Sequence, residues 1–187
     1  MTKGHLFVIS APSGTGKTSL VKALIEKDPT IMLSISTTTR EPRAGEVDGK
    51  DYFFVKKEDF DKQKDNNEFL EWAFVYGNFY GTSASLVNAS INQGKKVLLE
   101  IDWQGAFQIK EKYSKNQLTL IFIVPPSLEH LKKRLQGRGQ DENNVVLERL
   151  ALAEEEMEKS TDFDYIIMND DFDSAVRELH QIVNRSI

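Results

Sequence analysis

Lys17 and Thr18 end the run Ala11-Pro-Ser-Gly-Thr-Gly-Lys-Thr18, which lies between the apolar Leu6-Phe-Val-Ile9 and the helically periodic Ser19-Leu-Val-Lys-Ala-Leu-Ile25. A strand, a glycine-bearing loop and a helix in that order form a phosphate-binding loop. Gly14 and Gly16 let successive backbone N–H groups turn inward, making an anion nest at the positive end of a helix. Lys17 adds a mobile point charge for terminal phosphates, and the Thr18 hydroxyl suits Mg2+. Ala11, Pro12, Ser13 and Thr15 complete the cradle. Ala11 stands where the pattern has glycine, and alanine permits the turn provided its φ stays negative. A glycine-rich turn with a surface lysine would look similar, but the flanking strand and helix speak for phosphate.

Arginines form two further clusters. Arg40 and Arg43 sit three apart in Ser36-Thr-Thr-Thr-Arg-Glu-Pro-Arg, where Pro42 stiffens the loop. Planar guanidinium forks so placed can converge on one phosphate. Glu41, Glu46, Asp48 and Asp51 could instead pair with them at the surface, and composition alone favours that reading. Arg134, Arg138 and Arg149 form the other cluster, with Arg134 and Arg138 one helical turn apart if the helix persists through Gly137. A basic face balanced by Glu154, Glu155, Glu156 and Glu158 is the alternative there. His5, His130 and His180 lie apart and receive no role, and no residue stands out as a general base.

These clusters need elements to hold them. Strands are expected near 5–11, 31–35, 52–55, 69–76, 97–101, 118–124 and 165–168. Helices are expected near 17–27, 57–64, 84–93 (capped by Ser83), 103–113, 127–135, 144–158 and 172–184. Continuous apolar strands alternating with helices indicate a parallel sheet covered on both faces, an α/β fold. Residues 36–94 break the rhythm with short aromatic strands and turns and read as an insertion, while 127–158 holds helices without an intervening strand and can form a flap. The core is then 1–35, 95–126 and 159–187.

Composition bounds the partners. At 187 residues the chain fits one domain with insertions. No apolar run approaches the ~20 residues needed to span a membrane. Met1-Thr-Lys-Gly-His5 leads straight into the first strand, so no signal peptide is expected. Zero cysteines exclude disulfides and thiolate metal sites and fit a cytoplasmic location. A net charge of −5 argues against a general nucleic-acid binder, so positive charge for phosphates must be concentrated locally. Oligomeric state, a homo-oligomer included, stays open.

The segment from Thr38 to Tyr52 closely resembles the signature of the guanylate kinases, T-T-R-x-P-R-x-G-E-x-x-G-x-D-Y. The resemblance runs on through Asn67-Glu-Phe-Leu-Glu-Trp72, Gly77-Asn-Phe-Tyr-Gly81, Glu100-Ile-Asp-Trp-Gln-Gly105, Lys132-Lys-Arg-Leu-Gln-Gly-Arg-Gly139 and Asn169-Asp-Asp171, spanning nearly the whole chain. It implies a P-loop core, a GMP-binding region at 36–94 and a helical lid at 127–158. It also implies transfer of the γ-phosphoryl group of ATP to GMP, or dGMP, with Mg2+, in guanine nucleotide synthesis and recycling. Carried over by position, ATP ligands fall on residues 11–18 and Asn169, and GMP-phosphate ligands on Arg40, Arg43, Tyr52 and Tyr80. Guanine readers fall on Ser36, Glu71, Thr82 and Asp102, with Glu100 nearby, and Lys17, Arg134, Arg138 and Arg149 act on the transferring phosphates.

Glu71 suits guanine chemically. Guanine offers two adjacent donors, which an acceptor-only carboxylate can take together, whereas adenine presents a lone pair at N1. Hydroxyls at Ser36 and Thr82 can donate to guanine O6. Without the resemblance Glu71 would read as an exposed strand glutamate. Two other readings remain: a guanylate-kinase-like scaffold module that binds peptides, and a kinase acting on another phosphorylated sugar or nucleotide. Intact Gly16-Lys-Thr18 and the lid arginines speak against the first, and Glu71 with Arg40 and Arg43 against the second. Charge clusters so separated in sequence act together only if the segments close over both nucleotides, with hinges expected near 35–37, 93–96 and 125–127.

Overall fold

The computed structural model describes residues 4–137 and 143–185, and Arg138 therefore lies outside the described residues. In chain order the strands are β1 (His5–Ser10), β2 (Ile31–Leu33), β3 (Thr37–Thr38), β4 (Phe53–Phe54), β5 (Phe69–Val75), β6 (Asn78–Ser83), β7 (Lys96–Glu100), β8 (Leu118–Val124) and β9 (Tyr165–Met168). The helices are α1 (Lys17–Lys27), α2 (Lys57–Asp65), α3 (Ala84–Asn92), α4 (Trp103–Lys112), α5 (Leu128–Gly137), α6 (Asn143–Glu158) and α7 (Phe172–Arg185). A single 3-10 turn, Lys159–Asp162, follows α6.

Five strands form a parallel sheet in the order β2-β7-β1-β8-β9. Apolar side chains alternate across it and bury on both faces, as a sheet covered by helices requires. Phe7, Ile9, Leu98, Ile121 and Ile167 meet Leu20, Val21 and Leu24 of α1 and Val176, Leu179 and Val183 of α7. On the other face Leu6, Val8, Val97, Leu99 and Phe122 meet Val87 and Ile91 of α3 and Ala106 and Ile109 of α4. The central strand β1 runs directly into the phosphate loop, so the loop is anchored by the most enclosed strand of the sheet. No helix among the described residues is long and apolar enough to cross a membrane.

The 36–94 insertion builds a second sheet, ordered β4-β3-β6-β5, in which β3 and β4 run parallel and the other pairs antiparallel. Two of its strands, β3 and β6, are not among those expected from the sequence. Thr37–Thr38 is too short to show a period, and Asn78-Phe-Tyr-Gly-Thr-Ser83 carries a polar start and a glycine. Pairing with β5, not local preference, makes β6 a strand. Ser83 does stand at the N-terminus of α3, but its hydroxyl pairs with Ser85 Oγ at 3.2 Å and not with the helix backbone.

An aromatic cluster holds α2 against this sheet. Phe60 of α2 is fully buried, with its ring 4.5 Å from that of Phe69 and 5.4 Å from that of Phe79. It lies outside both clusters of the parallel sheet. Phe60→Ala is therefore expected to lower stability by about 3 to 5 kcal/mol in chemical denaturation. Hydrogen exchange should accelerate first in residues 53–83, and uniform acceleration across β1 and β8 would contradict this placement.

Candidate functional site

Parallel pairing of β1 with β7 sets Ile9 opposite Glu100, which brings the phosphate loop beside the end of β7. Gly14 (φ 90°) and Gly16 (φ 98°) take left-handed conformations that a side chain would strain, while Ala11 does not have a positive φ. Gly14 also packs on Leu131 and Leu135 of α5, and a Cβ there would press into both. Lys17 Nζ donates to Ile101 O at 2.9 Å, and Thr18 Oγ1 donates to Glu100 Oε1 at 2.5 Å. Glu100, expected only near the acceptor, thus lies directly against the loop's threonine. Thr15 is fully buried, and its hydroxyl has no hydrogen-bond partner.

A cavity of about 250 Å³ opens in front of this loop. Its far wall carries Ser36, Arg43, Tyr52, Glu71, Tyr80 and Asp102, so seven expected acceptor-side residues, Glu100 included, share one cavity with Lys17 and Thr18. The second sheet sets their spacing. Glu71 on β5 stands opposite Thr82 on β6, and Tyr80, two residues on, shares a face with Thr82.

Glu71 is 3% exposed and accepts a 2.5 Å hydrogen bond from the fully buried Thr82 hydroxyl. Burial pushes its carboxyl up to about 7, against the pull of the Thr82 hydrogen bond, and the Asp102 carboxylate adds to the rise. Lys112 and Lys17 draw it back, and Lys112 also donates to Leu70 O beside it. Asp102 caps α4 by accepting from Gly105 N at 3.0 Å. A Cβ on Gly105 would strike the Glu71 carboxylate, so glycine is what lets the first turn of α4 approach it.

Arg40 and Thr82 stand one layer behind the cavity wall. Glu46 accepts both hydrogen bonds of one Arg40 nitrogen, at 2.8 and 2.9 Å, and its Oε2 also accepts from Arg43 N at 2.8 Å. The Arg40 guanidinium lies 5.4 Å from the Tyr52 ring centre and 5.8 Å from that of Phe54. Burial opposes the Arg40 charge, but Glu46 and Tyr80 outweigh it and raise its pKa. Burial, with Glu100 adding, pushes the Tyr52 phenol up to about 12, which keeps it a donor. Glu46 is thus a positioning residue that sequence reasoning dismissed as a surface partner. Its signal was the glutamate following Gly45 in the arginine motif.

Arg134 and Asn169 line a neighbouring cavity of about 410 Å³ with Gly14, Gly16 and Phe172. Arg134 donates to Thr15 O and Asn169 O at 3.0 Å each, and Asn169 Nδ2 donates to Thr15 O at 2.7 Å. The guanidinium of Arg149, on α6, lies 5.8 Å from the Tyr76 ring centre. Tyr76 and Glu156 also face the first cavity; sequence reasoning assigned Tyr76 no role and Glu156 only that of an acid balancing the helix.

The comparisons with known proteins agree with this geometry. A family model described as guanylate kinase matches residues 3–186. The guanylate kinase of Thiobacillus denitrificans is 53% identical over 184 residues, covering 98% of this chain and 87% of that protein. That of Idiomarina loihiensis is 50% identical over 182 residues, covering 96% and 86% respectively. The crystal structure of guanylate kinase from Anaplasma phagocytophilum matches with a TM-score of 0.83 at 34% identity, covering 98% of this chain and 86% of that one. With a phosphate loop and a buried carboxylate facing one cavity, and relatives matched over nearly its full length, the chain belongs to the guanylate kinase family.

Proposed function

We propose that this chain transfers the γ-phosphoryl group of ATP to GMP, or to dGMP, giving ADP and GDP. The observation that carries the reading is Glu71, a buried carboxylate bonded to Thr82 and facing the same cavity as Lys17. Its two oxygens accept the ring N1–H and an amino proton of guanine, a pairing adenine cannot offer. Thr82, whose proton goes to Glu71, orients that carboxylate. Ser36 in the cavity wall supplies a hydroxyl donor for O6, and Asp102 adds a second acceptor on the amino side. Arg40, Arg43, Tyr52 and Tyr80 take the acceptor phosphate, with Glu46 holding the Arg40 fork in place.

The donor side rests on the loop amides, Lys17 and Asn169. Thr18 Oγ1 and the Glu100 carboxylate, already 2.5 Å apart, are hard oxygens of the kind Mg2+ prefers. Mg2+ needs only one or two such protein oxygens, the rest coming from phosphate and water, and bound there it would neutralise charge on the phosphates. No general base is required, because the second pKa of a phosphate monoester is ~6 and the acceptor is already largely dianionic. Positioning and charge neutralisation then suffice.

We read residues 1–35, 95–126 and 159–187 as the core, 36–94 as the acceptor-binding region and 127–158 as a lid that carries Arg134, Arg138 and Arg149. A cysteine-free chain of net charge −5 supports a cytoplasmic enzyme acting on small nucleotides rather than on nucleic acid.

Three outcomes test the reading. Lys17→Met should collapse turnover in a coupled ADP-release assay while leaving GMP affinity within a few fold, since the ammonium serves the transferring phosphates. Near wild-type turnover would sink the assignment. Glu71→Gln turns one acceptor into a donor facing a donor, which should reduce kcat/KM for GMP by roughly 2 to 4 kcal/mol. AMP should gain relative to GMP, and an unchanged GMP-to-AMP ratio would show that Glu71 does not read the base.

The third outcome concerns pH. With its carboxyl raised to about 7, Glu71 is mostly protonated below that pH, whereas guanine selects the ionised form. GMP binding should therefore release about half a proton at pH 7 beyond that lost by its own phosphate, and affinity should weaken as pH falls. Calorimetry in two buffers of different ionisation enthalpy measures the release. A value no greater than that of Glu71→Gln would contradict the coupling.

A further inference from the structure

Glu156 projects from α6 into the acceptor cavity, yet none of the contacts proposed for GMP involves it. It is half-buried, and it shares the cavity with Glu71, Glu100 and Asp102, making a fourth carboxylate there. It meets Tyr76, whose hydroxyl donates to Glu156 Oε1 over a long 3.5 Å. Tyr76 is itself unusually placed. With Gly77 it forms the two-residue turn of the β5–β6 hairpin, at φ 48° and 80°, where asparagine or aspartate before glycine is the ordinary choice. A tyrosine in that left-handed position reaches α6, with Arg149 over its ring and Glu156 at its hydroxyl.

Two fields act on Glu156 besides burial, which is the largest influence on it. The Asp102 carboxylate disfavours its charge and the Lys17 ammonium favours it, so the group lies within electrostatic reach of both. In the proposed reading, Asp102 marks the base end of the acceptor and Lys17 the end where phosphate is transferred. The part of a nucleotide between base and phosphate is the sugar. The base-edge donors already have acceptors in Glu71 and Asp102, and the only other donors on GMP are the ribose hydroxyls. A carboxylate, which accepts and never donates when ionised, is the matching group.

We infer that Glu156 is a specificity-determining residue of the acceptor site, accepting a hydrogen bond from a ribose hydroxyl of GMP and so favouring ribonucleotide over deoxyribonucleotide. The inference rests on the proposed placement of GMP between Glu71 and Lys17. Tyr76 then serves as a positioning residue that holds the carboxylate toward the sugar through its hydroxyl at Glu156 Oε1. Because Glu156 rides on α6, the contact also couples acceptor sugar to the helix that carries Arg149.

The test compares GMP, 2′-deoxy-GMP and 3′-deoxy-GMP as acceptors for the wild-type chain, Glu156→Gln and Glu156→Ala, with thermal melts of all three proteins. The wild type should use GMP better than at least one deoxy analogue. Glu156→Ala should raise KM for GMP by roughly tenfold or more, the scale of a lost hydrogen bond to a charged group. It should change KM for the disfavoured analogue less than twofold, so that sugar discrimination disappears. Glu156→Gln keeps an acceptor oxygen and should retain part of the discrimination. Equal losses on GMP and both analogues would overturn the inference and assign Glu156 a purely structural role, as would unchanged kinetics. Failure of the wild type to phosphorylate GMP would instead defeat the functional reading. Preserved GMP-over-AMP selectivity together with preserved sugar discrimination in Glu156→Ala would defeat the inference alone.

Discussion

Three consecutive residues at the end of β7 bind the two halves of the site to each other. Glu100 accepts from Thr18, Ile101 O accepts from Lys17, and Asp102 caps α4, whose Gly105 lies against the Glu71 carboxylate. Their position follows from one constraint, the parallel pairing of β7 with the central strand β1, which sets Ile9 opposite Glu100. A slip of one residue would turn Glu100 to the opposite face and carry the other two out of reach. The buried apolar pattern on both faces of the sheet forbids that slip, because it would move Leu98 and Leu99 each into the other's cluster and the wrong packing. Core packing therefore sets the distance between a loop that suits triphosphate and a pocket that suits guanine.

The second constraint is the carboxylate inside that pocket. An ionised group taken out of water loses several kcal/mol of solvation unless its oxygens find partners. Thr82 supplies one from the opposite strand, while Lys112 and Lys17 favour the charge from further off. These do not fully offset burial and the neighbouring Asp102, which is why the Glu71 carboxyl sits near neutrality. An incompletely compensated acceptor is poised for a ligand that brings two donors. It gives no such return to adenine, and selectivity of this kind comes from what the wrong base leaves unpaired. Arg40 follows the opposite design. Glu46 holds one of its terminal nitrogens, Glu41 O accepts from the other, and two aromatic rings flank it, so its fork is oriented before any phosphate arrives.

The parallel core was legible in the sequence because each of its strands is a continuous apolar run and α1 carries its own glycine-led start. The second sheet was less so. Glu71 reads locally as an exposed strand glutamate beside Trp72, and only the resemblance gave it a base to read. Its burial depends on β6, a strand that exists through pairing and shows no alternation of its own. Glu46 looked like one of four acids near two arginines, and nothing in composition separates a bidentate clamp from a solvated pair. Glu156 was hidden for a related reason. It lies in the run Glu154-Glu155-Glu156-Met157-Glu158, where residue type is constant and only helical phase distinguishes the carboxylate turned to the cavity. That phase has meaning once the tertiary structure places α6 over the hairpin.

Helical phase also relates Glu156 to Arg149. Seven residues apart on α6, the two are separated by about two turns and share a face, and both meet Tyr76. In the proposed reading this one helix face presents Arg149 and Glu156 to a substrate that has phosphates at one end and hydroxyl and amino donors along its length. Glu156, half-buried at the cavity, holds its charge at a cost unless a ligand supplies a donor, a condition that disfavours approach of the helix without one. The arginine gains from phosphate and the glutamate from a hydroxyl donor, so the face becomes complementary only to a nucleotide that presents both. Inorganic phosphate would satisfy one and leave the other unmatched. On that reading, a helix that docks fully only on the complete substrate would also withhold phosphoryl transfer from water, because the motion that brings positive charge would close the solvent path. Selectivity for the acceptor and protection of the donor are then two consequences of one charged helix face.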